Sequence, residues 1–258
     1  MTLPWEPITE DDFRPANRDN AEIGRFLFQD PILSGNYNIS CQDCHHPAFG
    51  TSDGLSLGLG EGGAGIGPNR QAIQPILKRV PRNALALWNL GHRDVTALLW
   101  DGRVSEDAND PAGFDTPAED WLPKGLNSVL AAQALWPLSA QFEMAGNTGE
   151  NEVIGATRQR MDYGWPILTW RVASQDFYWD QFRAIDPTLI RRDQLSITHI
   201  ANALADFMNL TFRSVNAPID RLARGEPIQI SEAAQRGLDL FYGEAHCHQC
   251  HSGPLMTD

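Results

Sequence analysis

AEIGRFLFQDPILSGNYNISCQDCH, Ala21 to His45, decides the fold, because a second stretch, AAQRGLDLFYGEAHCHQCH from Ala233 to His251, repeats its plan. Aligning Ala21 with Ala234 brings Gly24 onto Gly237, Leu27 onto Leu240 and Phe28 onto Phe241. Both stretches predict an amphipathic helix, capped by Asn20 in the first and by Ser231 followed by Glu232 in the second. Glycine inside a helix costs stability relative to alanine, so its recurrence predicts close packing against another helix. Each helix leads into a Cys-x-x-Cys-His motif: Cys41, Cys44 and His45, then Cys247, Cys250 and His251.

The chain has four cysteines, and these two motifs use all of them. Paired CxxC motifs fit a zinc ribbon, a redox dithiol or covalent haem attachment. Zinc ribbons set their halves some tens of residues apart, and these lie about two hundred apart. A redox dithiol leaves both histidines idle. In c-type attachment each cysteine forms a thioether with a haem vinyl and the adjacent histidine binds iron. Two covalent haem c groups are therefore expected, with His45 and His251 as iron ligands.

Outward from the motifs the chain predicts helices. QLSITHIANALADFMNLTF, Gln194 to Phe212, puts Ile200, Leu204, Phe207 and Met208 on one face, and no run of alternating strands stands out. The expected class is all-α, with two cytochrome c-like haem domains over 1–213 and 214–258. GTSDGLSLGLGEGGAGIG, Gly50 to Gly67, matches GxGxxG but lacks the strand and helix of a dinucleotide site, so it is expected to be a loop beside the first haem. Residues 104–125 carry six carboxylates and one lysine and are expected to be a solvated insertion. His92 and His199, placed in helical stretches, and His246 and His248 are expected to be packed or surface residues.

With 258 residues and 42% hydrophobic content, the chain can bury a sizeable core. A net charge of −13 argues against nucleic acid or anionic membrane as a partner and suits a basic protein. No apolar run is long enough to span a bilayer, and MTLPWEPITEDDF has no leader-like n-region or h-region.

RVPRNALALWNLGHRDVTALLWDGRV, Arg79 to Val104, together with ILSGNYNISCQDCH and the FEM at Phe142 to Met144, resembles the bacterial di-haem cytochrome c peroxidase family, including its MauG-type members. The resemblance runs from about Asn20 to the end. It implies that the first haem reacts with hydrogen peroxide and that the second relays electrons. By the same resemblance Trp100 lies between the haems as a relay, Asn83 helps bind one calcium ion, and Gln133 and Glu143 form the distal pair. Splitting a peroxide O–O bond requires moving a proton to the departing oxygen, which a carboxyl group such as Glu143 performs as general base and acid.

The electron donor implied is a small redox protein, a cytochrome c or a cupredoxin; the alternatives are MauG-like oxidation of a partner protein and a non-catalytic di-haem electron carrier. A homodimer is left open, and the implied location is the periplasm with a leader removed. Residues 47–91 hold no histidine, methionine or cysteine and only one lysine, Lys78, so no capping ligand for the first iron is expected there. Met256 follows His251 by five residues, a tether of about 17 Å that is too short to round the haem edge. The second domain is accordingly expected to be truncated, with the parent protein continuing past Asp258.

Overall fold

The computed structural model describes residues 3–257. It divides into two compact units, one spanning Pro15–Phe212 and the other formed by the described parts of Met1–Arg14 and Arg213–Asp258.

The larger unit is mostly helical. α1 (Arg18–Gln29) leads to α2 (Cys41–Cys44), which carries the first motif. α3 (Val129–Ala134), α4 (Trp136–Ser139), α5 (Glu152–Thr157), α6 (Trp165–Ser174), α7 (Asp176–Ile185) and α8 (Ile197–Thr211) follow. Five short strands interrupt them, against the expectation of no strands. β1 (Gly63–Ala64) pairs antiparallel with β2 (Gln71–Ala72), placing Gly63 opposite Ala72. β3 (Ala97–Leu98), β4 (Val104–Glu106) and β5 (Phe114–Asp115) form an antiparallel sheet in that order. Strands of two or three residues are too short to show alternation in the sequence.

The packing of α1 on α8 organises this unit. Ile23, Leu27 and Phe28 meet the face of Ile200, Leu204, Phe207 and Met208, all of them buried. The Phe28 and Phe207 ring centroids lie 5.1 Å apart. Gly24 is where the backbones touch: a Cβ there would lie 1.9 Å from the Ala203 carbonyl oxygen. The cap of α1 differs from the expectation. Asn17 is the N-cap and accepts from the Asn20 N–H at 2.9 Å. The Asn20 side chain instead donates to the buried Asp206 of α8 at 2.7 Å, and Asn127 donates to the other Asp206 oxygen at 3.0 Å. α1 stops at Asp30, the residue before Pro31, where the helical conformation is disfavoured.

Two further expectations change. The segment 104–125 is not a purely solvated insertion, because Val104, Phe114, Ala118 and Leu122 are buried in the core and pin the hairpin down. His92 sits in a turn rather than a helix, buried, with its Nδ1 accepting from the Asp94 N–H. His199 does lie in a helix, where its Nδ1 meets the Ser196 hydroxyl at 2.7 Å and helps cap α8.

The smaller unit contains α9 (Pro218–Ala223) and α10 (Glu232–Tyr242). Ser231 caps α10 as expected, accepting from the Ala234 N–H at 3.1 Å. α10 buries none of its residues, and a Cβ on Gly237 would meet nothing within 4 Å. The repeat thus carries close packing at Gly24 but not at Gly237. Among the described residues no helix is long and apolar enough to cross a membrane.

Candidate active site

The first motif forms a single helical turn. Ser40 caps it, its hydroxyl donating to Asp43 at 2.8 Å while Asp43 accepts the Ser40 N–H at 2.7 Å. This turn presents Cys41, Cys44 and His45 together. Burial pushes the Cys41 thiol up to about 12, reinforced by Cys44, and burial likewise pushes Cys44 up to about 12. Thiols held so far from ionisation do not suit a redox dithiol, which needs an accessible thiolate.

His45 is oriented by the segment that follows it. Its Nδ1 lies 3.0 Å from the Thr51 carbonyl oxygen, so an N–H there donates to that oxygen, and the Leu85 backbone also acts on the ring. Thr51 is itself pinned, its hydroxyl accepting from the Leu87 N–H at 2.7 Å. Burial lowers the pKa of His45, which keeps the ring neutral and able to ligate. The second motif repeats the arrangement in the smaller unit. There His251 Nδ1 lies 3.1 Å from the Met256 carbonyl oxygen. Met256 thus serves the histidine through its carbonyl. Cys247 and Cys250 are exposed, and an apolar hollow of about 340 Å³ in the same unit is lined by residues including Leu222, Ile230, Leu238 and Phe241.

Glu143 lies on a π-helical turn, Gln141–Ala145, a geometry enriched at functional sites. Burial raises its carboxyl to about 7, against a hydrogen bond from Trp136 and the charge of Arg103, both of which lower it. The glycine-rich loop holds this turn close to the haem motif. A Cβ on Gly60 would lie 2.3 Å from the Phe142 carbonyl oxygen and 2.7 Å from Glu143 Cα. The neighbouring Leu59 carbonyl lies 3.8 Å from Cys44 Sγ. Leu59 and Gly60 therefore bridge the cysteine and the carboxyl-bearing turn, and the charge of Glu143 reaches Cys44. Arg70, buried, fastens the loop by donating to the carbonyls of Leu59, Gly60 and Gly65, and it also pairs with Asp43 of α2 at 3.5 Å.

Gln133 sits on α3, one turn before Trp136, and its Oε1 is buried without a hydrogen-bond partner. A buried amide oxygen left unsatisfied is costly and is expected where a ligand supplies the missing partner. Trp100 is 68% exposed, which excludes a plain core tryptophan; Arg82 stacks 4.1 Å from its ring centroid. Arg103, three residues on, pairs with Asp101 and acts on Glu143, linking the WDGR segment to the Glu143 turn. Asn83 is tied to the segment that follows the first motif. Its Oδ1 accepts from the Ser52 hydroxyl at 2.7 Å, and its Nδ2 donates to Asp53 and to the Leu55 carbonyl.

These residues fit a haem. An imidazole and two thiols share one turn, Leu59 and Gly60 join that turn to the one bearing the Glu143 carboxyl, and α3 carries an orphaned amide oxygen. Gly60, Arg70, Thr51 and Asp53 were missed by sequence reasoning. Only Gly60 left a trace, as part of the GxGxxG match.

Comparisons with known proteins identify the family and the fold. The family model described as di-haem cytochrome c peroxidase matches residues 18–227. The chain is 28% identical to the methylamine utilization protein MauG of Methylorubrum extorquens over 98% of its own length and 55% of that protein's. It is 27% identical to the cytochrome-c peroxidase IdrP2 of a Pseudomonas species (strain SCT), over 95% of its own length and 51% of that protein's. The diheme peroxidase BthA from Burkholderia thailandensis shares the fold, with a TM-score of 0.60, 18% identity, and coverage of 93% of this chain and 50% of that one. The chain thus spans about half the length of the relatives it matches. From its motifs, its fold and these matches, the chain belongs to the di-haem cytochrome c peroxidase family.

Proposed function

We propose that the chain is the peroxide-reacting portion of a di-haem c-type peroxidase, with haem joined to Cys41 and Cys44 and ligated by His45. A second haem would join Cys247 and Cys250, with His251 as its ligand. The observation that carries this reading is the bridge of Leu59 and Gly60 between Cys44 and the Glu143 turn. Bound haem supplies the electrons that reduce hydrogen peroxide to water. The protein's own part is proton handling and orientation. Glu143, with its pKa raised to about 7, accepts a proton from peroxide and returns one to the departing oxygen near neutral pH. Gln133 orients peroxide by hydrogen bonding through its unpaired Oε1. Trp100 passes oxidising equivalents outward, and a small cytochrome c or cupredoxin is the donor.

Asn83 belongs to this proposal as a calcium ligand, through the lone pair of Oδ1 that Ser52 leaves free. Covalent haem attachment in bacteria implies the periplasm. The two haem c domains of the proposal are 1–213 and 214–258.

The test is peroxide-dependent oxidation of reduced cytochrome c by the haem-loaded chain. Glu143→Gln is expected to lower turnover by about 10²-fold or more without changing haem content. Wild-type turnover in that variant refutes the assignment, and absence of any peroxide reaction leaves an electron carrier. A second reading, oxidation of side chains on a partner protein, is favoured by the absence of a capping ligand in 47–91. The one lysine there, Lys78, has its Nζ 5.7 Å from the centroid of the Phe142 ring. It predicts a ferric protein with a high-spin haem that reacts with peroxide without prior reduction.

A further inference from the structure

Asp53 is fully buried, 0% exposed, yet only one of its carboxylate oxygens is satisfied. Oδ1 accepts from the Leu55 N–H and from Asn83 Nδ2, each at 3.0 Å. Oδ2 has no partner, and a Cβ on Gly58 would lie 3.3 Å from it, so the Gly58 backbone closes over that side. The carboxylate is held rigidly. Two residues before it, the Thr51 carbonyl orients His45, and Ser52 bridges back to His46. Burying a half-satisfied carboxylate is expensive, and such groups persist where they act on something else. Its charge acts on two of the three motif residues, adding to the effect of burial on Cys44 and opposing the larger effect of burial on His45.

We propose that Asp53 is a positioning residue whose fixed negative charge, on the segment whose Thr51 carbonyl orients His45, favours the ferric form of the first haem and so sets its reduction potential low. Charge in a water-poor site acts strongly because little solvent screens it. Groups behind a metal's ligands tune the metal in this way. A low potential suits a haem that must give up electrons to peroxide. The inference rests on the reading of Cys41, Cys44 and His45 as the haem attachment site.

The experiment is a spectroelectrochemical titration of the haem-loaded full chain and its Asp53→Asn, Asp53→Ser and Asp53→Glu variants, with covalent haem content measured alongside. Asp53→Asn keeps the Oδ1 acceptor and removes the charge. It is expected to raise one of the two haem components by about tenfold in the ferrous-to-ferric ratio, about 59 mV for a one-electron couple, and to leave the other unmoved. Asp53→Ser, smaller and uncharged, is expected to match it, and Asp53→Glu to stay near wild type. Haem-loaded neutral variants with unmoved potentials overturn the inference. So does a shift that follows side-chain size rather than charge, or neutral variants that fail to take up haem while Asp53→Glu succeeds. A wild-type chain that carries no covalent haem overturns instead the attachment reading beneath it.

Discussion

Replacing Gly60 by alanine isolates the contact between the glycine-rich loop and the Glu143 turn. The added Cβ would lie 2.3 Å from the Phe142 carbonyl oxygen, 2.6 Å from the Glu143 carbonyl oxygen and 2.7 Å from Glu143 Cα. Carbon and oxygen atoms in contact settle about 1 Å further apart than the shortest of these, and backbone on both sides leaves no flexible side chain to absorb the difference. The turn bearing Glu143 must therefore move by about 1 Å. A misplacement of that size at a reacting group costs about 10²-fold in rate. Overpacking adds about 1–3 kcal/mol of destabilisation. The assay is the second-order rate constant for peroxide with the haem-loaded ferric protein, followed by stopped-flow absorbance, with the melting temperature and haem content as companions. A Gly60→Ala protein that loads haem and reacts with peroxide at the wild-type rate refutes the claim that this glycine sets the position of Glu143.

Gly24→Ala is expected to lower stability by about 2 kcal/mol net of the helix propensity gained, because its Cβ meets the Ala203 backbone; Gly155→Ala, with nothing within 4 Å, is expected to raise it by up to about 1 kcal/mol. Calorimetric melting separates the two, and equal shifts would count against the α1–α8 contact. Because the folded-state pKa of Glu143 is raised to about 7, its protonation favours folding. That contribution is complete below about 4.5 and lost as pH rises through about 7, so in denaturant titrations Glu143→Gln should gain about 1 kcal/mol or more over wild type at pH 8 and little at pH 4. The rate of the peroxide reaction should rise with pH through the same region in wild type and lose that limb in the variant. Arg82→Ala should leave haem content unchanged while altering the emission of the exposed Trp100, since the guanidinium stacked on its ring is removed.

Much of the fold was legible because its signals are local. The apolar face of α8 and the serine cap of α10 are each written within a dozen residues, and each copy of the helix and motif within about 25. Gly24 was legible through its recurrence, but the same recurrence misled at Gly237, since a glycine says that a neighbour is tolerated and not that one is present. The cap of α1 was misassigned because Asn17 and Asn20 are both good caps. What separates them is Asp206, which claims the Asn20 side chain from 186 residues away. The segment 104–125 concealed its buried anchors, Val104, Phe114, Ala118 and Leu122, among six carboxylates. At the candidate site, the motif residues came from pattern and Glu143 from the family resemblance. Asp53, Thr51 and Arg70 came from neither, because their roles depend on which carbonyls and amides meet after folding.

The glycine-rich loop has a polarity of its own. A loop that cradles phosphate turns its N–H groups inward and is electropositive at its centre. Between Leu59 and Gly65 the opposite holds: carbonyl oxygens converge, and the Arg70 guanidinium fills the space they enclose. The loop is a receptor for a cation that the chain supplies itself, so a nucleotide phosphate finds neither the donors nor the room. Because the same guanidinium also reaches Asp43 on the attachment helix, the captive charge couples the floor beneath Glu143 to the turn that carries the two thiols. Substituting Arg70 would unfasten both at once.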